Sequence, residues 1–102
     1  MTKYVTKTNR TFKSEQHALM TAAIALLKYT QDGYLCATHF MPSEQSYEGR
    51  YACFEVTIHH RDVPAIEICD YLEPCSIETR YHEADGDMKE FACTTLTYEY
   101  EA

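Results

Sequence analysis

Soft metal ligands and nucleophiles recur through this 102-residue chain as Cys36-x-x-His39, the pair His59-His60, and Cys69-x5-Cys75. Structural zinc sites pair such ligands in close Cys or His knuckles, and the chain has none, although Cys53 and His59 would share one face of a strand. Nucleophile candidates are Cys36 beside His39 and a serine with His59 or His60, but a nucleophile needs its base brought close by the fold, which local spacing does not supply. Hard-cation ligands crowd Tyr81-His-Glu-Ala-Asp-Gly-Asp-Met-Lys-Glu90, where Glu83, Asp85, Asp87 and Glu90 stand close together. A helix-flanked calcium loop spreads its ligands over about twelve residues; here only Asp85 and Asp87 match its opening pair, and the flanks are patterned as strands. Three glycines leave no phosphate-cradling loop. These patterns assign no catalytic residue, metal ligand or cofactor, and the expected function is non-catalytic.

The elements that must position these residues follow from periodicity. Tyr4 to Arg10 alternates polar and β-favouring residues and predicts a short strand or arm. Ser14 is a good N-cap and Gly33 a left-handed stop, which predicts a helix over residues 15–31. Placed at helical steps, Leu19, Ala22, Ala23 and Leu26 form the expected core stripe, and Met20, Ile24 and Leu27 extend it round one side. That second stripe calls for added cover from sheet curvature, from the N-terminal arm or from another chain, and makes Met20, Ile24 and Leu27 a candidate dimer or partner face.

After Gly33 the period changes from helical to two. Strands are predicted at Tyr34–Phe40, Arg50–His59, Ala65–Leu72, Cys75–His82 and Glu90–Tyr100, with a polar loop from Met41 to Gly49 and a turn at His60–Pro64. The fold class is therefore α+β: one helix on a curved, mostly antiparallel sheet of five or six strands, in the order β-α-β-β-β-β-β and within one domain. Asp85-Gly86 between alternating runs predicts a two-residue hairpin. It sets Tyr81 opposite Glu90, Thr79 opposite Ala92, Ile77 opposite Thr94 and Cys75 opposite Leu96; a loop one residue longer sets Tyr81 opposite Phe91. The core is expected to include Leu19, Ala22, Ala23 and Leu26 from the helix and Leu35, Phe54, Val56, Ile58, Ile66, Ile68, Ile77 and Leu96 from the strands.

Charge narrows the partners. The formal charge is −7, and residues 61–102 hold three Lys or Arg against eleven acids, a net of −8. An acidic surface repels nucleic acid and suits a protein with a basic groove. Nine tyrosines offer large, rigid contact area with polar tips. Glu78, Glu83, Asp85, Asp87, Glu90 and Glu99, with Tyr81 and Tyr98 between them, are the expected partner-binding residues. An odd cysteine count without Cys-x-x-Cys, and the absence of a long apolar run, lead us to expect a cytoplasmic protein that neither binds nucleic acid directly nor enters a membrane.

The element order of a strand, a long helix and then a meander is similar to the cystatin fold. Inhibitors of that family carry Gln-x-Val-x-Gly in the first hairpin loop, and Gln45-Ser-Tyr-Glu-Gly49 stands at that place with Tyr47 at the Val position. The resemblance implies inhibition of papain-like proteases, but the glycine before the helix and the tryptophan of the later loop have no counterpart here. In size and charge alone the chain also resembles the nucleic-acid-mimicking anti-restriction and anti-CRISPR proteins. The leading expectation is a small acidic binding or inhibitor protein that occupies the basic, nucleic-acid-binding surface of a partner. A homodimeric assembly protein and a ligand-binding or enzymatic α+β domain with a pocket between helix and sheet are the alternatives.

Overall fold

A computed structural model of the chain describes residues 2–8, 10–43, 51–61, 65–87 and 89–101. Five strands, β1 (Thr2–Lys7), β2 (Leu35–Met41), β3 (Tyr51–His60), β4 (Ser76–His82) and β5 (Phe91–Glu101), form one antiparallel sheet in the order β1-β4-β5-β3-β2. One helix, α1 (Glu15–Gln31), packs across β5, β3 and β2. The α+β architecture matches the expectation from periodicity.

Helix boundaries come from local chemistry. Ser14 is extended, and its Oγ accepts the backbone N–H of His17 at 3.2 Å, which satisfies one of the open donors of the first turn. At the other end Gly33 takes φ +95°, where a side chain would strain the backbone, and Gly33 and Tyr34 donate back to the carbonyls of Thr30 and Tyr29.

The face that α1 buries is not the expected one. Ala18, Thr21, Ala22, Ala25 and Tyr29 point to the sheet, whereas Leu19, Met20, Ile24 and Leu27 are each 49–58% exposed and Ala23 is exposed too. Of the predicted helix core only Ala22 is fully buried; Leu26 is partly so. The reason lies in the sheet, whose core face already carries Phe54, Val56, Ile58, Leu96, Tyr98 and Tyr100. Those side chains fill the interlayer space, and interiors packed near crystal density admit only small residues opposite them. Phe12, in ring contact with Tyr98 and His17, closes one end of this layer, and Tyr29, whose hydroxyl donates to the Glu67 carbonyl at 2.8 Å, closes the other.

Three further expectations are corrected. Ala65–Leu72 is not a strand: residues 66–69 carry no regular structure and Asp70–Leu72 form a 3₁₀ turn. Its alternation is real, since Ile66 and Ile68 pack on the core and Leu72 is fully buried, but the outer edge of β4 is already paired with β1. The segment therefore lies as a strap beside the helix. Leu35, expected in the core, is 73% exposed, because its position on β2 places it on the face of the sheet away from α1.

The β4–β5 register is shifted as well. Tyr81 lies opposite Ala92, Thr79 opposite Thr94 and Ile77 opposite Leu96, two residues from the two-residue-loop register. Asp85 and Gly86 are not a two-residue loop but part of a connection over residues 83–90, in which Gly86 takes φ +58°. A slip of two keeps the parity of a strand, so Ile77, Tyr81 and Leu96 still share one face and Glu78, Arg80 and His82 the other. The Gln45–Gly49 segment of the cystatin comparison and most of the His60–Pro64 turn lie outside the described residues.

The inverted helix face makes a direct prediction about stability. Ala25→Leu forces a larger side chain into the filled interlayer and should cost about 1–3 kcal/mol. Leu27→Ala should stay within about 0.5 kcal/mol of the native protein, as exposed substitutions do. Thermal or urea unfolding of the two variants checks both, and the reverse ranking would place the helix the other way round.

Candidate interaction surface

Turned away from the sheet, α1 presents Met20, Ala23, Ile24 and Leu27, with Leu19 at the margin and the uncharged Gln16 and Gln31 at the ends. At a helical step of about 100°, Leu27 points ~180° away from Ala18. Glu15 and Lys28 are the only Asp, Glu, Lys or Arg residues on α1, and both flank this stripe. An apolar stripe backed by a second, buried apolar stripe gives a helix that is hydrophobic nearly all round, which is the signature of a helix covered on both sides. Contiguous exposed apolar surface of this kind makes the stripe a candidate interaction surface.

The stripe runs toward an acidic end. Asp32, Gly33, Tyr34 and Leu35, just past the helix, line one cleft of about 590 Å³ together with His59, His60, Arg61 and Phe91. Phe91 follows directly on the β4–β5 connection, so Glu83, Asp85, Asp87 and Glu90, all exposed, lie at the same end of the sheet as the helix C-terminus. None of these four carboxylates forms an ion pair among the described residues; Asp32 is held by Lys28 at 2.8 Å. That bond raises the Lys28 pKa, against a smaller opposing effect of burial. The helix C-terminus adds its partial negative charge to the same end.

The expected partner-binding residues therefore separate into three places. Glu83, Asp85, Asp87 and Glu90 come together on the connection. Glu78 and Glu99 sit on the face of the sheet away from α1, where the Glu78 carboxylate is ion-paired with Arg80. Tyr81 lies on the opposite, helix-side face in edge contact with Tyr4 at 5.7 Å between ring centres. Tyr98 offers nothing to a partner: it is wholly buried, because its place on β5 directs it at α1. Met20, Ile24 and Leu27, the candidate dimer or partner face, are exposed together on one side of the helix.

The sequence reading missed Ala18, Ala25 and Tyr29. With the expected Ala22 they recur at helical spacing as clearly as the leucines do, and a stripe of small residues ending in an aromatic was the available signal. It also missed the open sheet face, where a groove of about 410 Å³ is lined by Lys7, Glu55, Glu78, Arg80, His82 and Cys93 among others. Here Thr57 and Thr95 share a hydrogen bond at 3.1 Å, and Cys93 Sγ lies 3.1 Å from His59 Nδ1. Among the described residues, no three His, Cys, Asp or Glu side chains gather as a metal site, and no helix is long and apolar enough to cross a membrane.

Comparison with protein-family models, with curated proteins and with solved structures finds no match.

Burial of Tyr98 carries its own test. Its hydroxyl has no hydrogen-bond partner among the described residues, and burial pushes its pKa well above the usual tyrosine value. Tyr98→Phe removes that unsatisfied group and should leave stability unchanged or raise it by about 1–2 kcal/mol. A clear loss of stability in urea unfolding would mean that the hydroxyl is bonded after all.

Proposed function

We propose that this chain is a non-catalytic binding protein that occupies a basic, nucleic-acid-binding surface of a partner protein. The observation that carries the reading is the outward apolar stripe of α1, Met20, Ala23, Ile24 and Leu27, leading to the end of the molecule that bears Glu83, Asp85, Asp87 and Glu90. Protein interfaces combine a desolvated apolar centre with a polar rim, and an acidic rim selects a basic partner while repelling nucleic acid. The stripe supplies contact area; the carboxylates supply orientation and rate of encounter.

Capture from a nuclease-treated lysate, followed by mass spectrometry, tests this in two ways. The retained protein should be a nucleic-acid binder that added DNA or RNA displaces, and capture should weaken with salt, since exposed charges are screened within about 8 Å at physiological ionic strength. Joint substitution of Met20, Ile24 and Leu27 by Glu should abolish capture without unfolding the chain, and reversal of Glu83, Asp85, Asp87 and Glu90 to Lys should abolish it too. Capture indifferent to both sets, or a partner that nucleic acid does not displace, overturns the reading.

The spacing of Met20, Ala23 and Leu27 favours a second reading, in which the stripe packs on its counterpart in another copy of the chain. Sedimentation then shows a dimer that Leu27→Glu converts to monomer.

A further inference from the structure

The register of the sheet sets four residues in a row across its open face. Arg80 on β4 lies opposite Cys93 on β5, Cys93 opposite His59 on β3, and His59 opposite Leu35 on β2. Directly opposed side chains on one sheet face have Cβ atoms about 4.5–5.5 Å apart, so the strands alone hold these groups in reach of one another. Cys93 Sγ and His59 Nδ1 are 3.1 Å apart, and both residues are half-buried. With the ring proton on Nε2, Nδ1 accepts from the thiol.

The other four thiols are held differently. Cys53 and Cys75 are buried, and Glu55 and Glu99 place negative charge near Cys53. Cys75 Sγ accepts the Glu99 backbone N–H and lies 3.9 Å from the Glu99 carbonyl oxygen. Cys36 Sγ donates to the Tyr34 carbonyl at 3.7 Å, and Cys69 lies on the strap beside α1. Among the described residues, Cys93 is the thiol held against a ring nitrogen. At Cys93 burial raises the thiol pKa and the Arg80 charge opposes it only in part, so the resting group is a thiol lying between a base and a cation.

We propose that Cys93, His59 and Arg80 form a covalent-modification site for small anionic carbon electrophiles that enter the open-face groove. The thiol proton passes to His59 Nδ1. The sulfur then attacks the electrophilic carbon, a C–S bond forms, and the leaving group departs with the electron pair of its bond to that carbon. Arg80, whose Nε edge is taken by Glu78, attracts the anionic end of the reagent and the negative charge on sulfur. Because all three residues stand on paired strands rather than on a loop, the site exists before the reagent arrives.

Iodoacetate is the probe, with neutral iodoacetamide as its comparison, applied to the intact folded chain and read residue by residue by peptide mass spectrometry. Cys93 should be carboxymethylated about tenfold or more faster than Cys36 and Cys69, the other two half-buried thiols, in line with the effect of a positioned base. His59→Gln should slow Cys93 with both reagents by about tenfold or more. Arg80→Gln, at an exposed position, should slow iodoacetate several-fold and leave iodoacetamide nearly unchanged. Cys93 reacting no faster than Cys36 and Cys69 overturns the site. Equal effects of Arg80→Gln on the two reagents overturn its selectivity for anions.

Discussion

The close approach of α1 to the sheet is the constraint on which the rest of the structure depends. Bulky side chains on the core faces of β3 and β5, above all Val56, Ile58, Leu96 and Tyr98, occupy the interlayer space. The helix can then seat only through Ala18, Ala22 and Ala25, with Thr21 between them and Tyr29 at the end. Thr21 satisfies its hydroxyl by donating to the His17 carbonyl at 2.9 Å, which lets a polar residue sit at the contact. The leucines, methionine and isoleucine of α1 are thereby displaced to the outside. The exposed stripe is thus a consequence of how the core is filled, and it leaves on the surface the residues most costly to leave wet.

The same layer shapes both faces of the sheet. On the helix side the strap of residues 65–75 runs beside α1, with Ile66 and Ile68 packed on the core and Leu72 wholly buried. A buried chain of hydrogen bonds runs through this side, from His60 Nε2 to Thr94 at 2.9 Å and from Thr94 to Thr79 at 3.0 Å, linking β3, β5 and β4 through side chains. On the other side no element of the described chain covers the sheet. That face is polar, as a one-sided antiparallel sheet allows, and its threonines, charged residues and the Cys93–His59 pair face outward in rows set by the register. The exposed apolar stripe of α1 and the polar sheet face with its Cys93–His59 pair therefore occupy opposite sides of a two-layer molecule.

Much of this was legible in the sequence where the cause is local. The Ser14 cap and the Gly33 stop bound the helix at the predicted residues, and the period of two put Phe54, Val56 and Ile58 together on the core face of β3 as expected. The β4–β5 faces were also legible, because parity survives a two-residue slip. Legibility ended where two elements compete for the same space or the same partner. The Ala65–Leu72 alternation has a strand's pattern, but β1 holds the edge it would need. Leu35 has a core residue's chemistry, but its position on the edge strand β2 faces the wrong side.

The sequence by itself determined the helix limits, the inward and outward parity of the long strands and the concentration of acid in residues 61–102, because each depends on residues close together in the chain. Only the tertiary structure decided which stripe of α1 is buried, since two apolar stripes are chemically equivalent until a sheet of particular volume selects the smaller. Only it brought Arg80, Cys93 and His59 into one row, since that row is made by the register of three strands separated along the chain. Register is a collective property of pairing, fixed by packing and connection length together, and no local spacing encodes it.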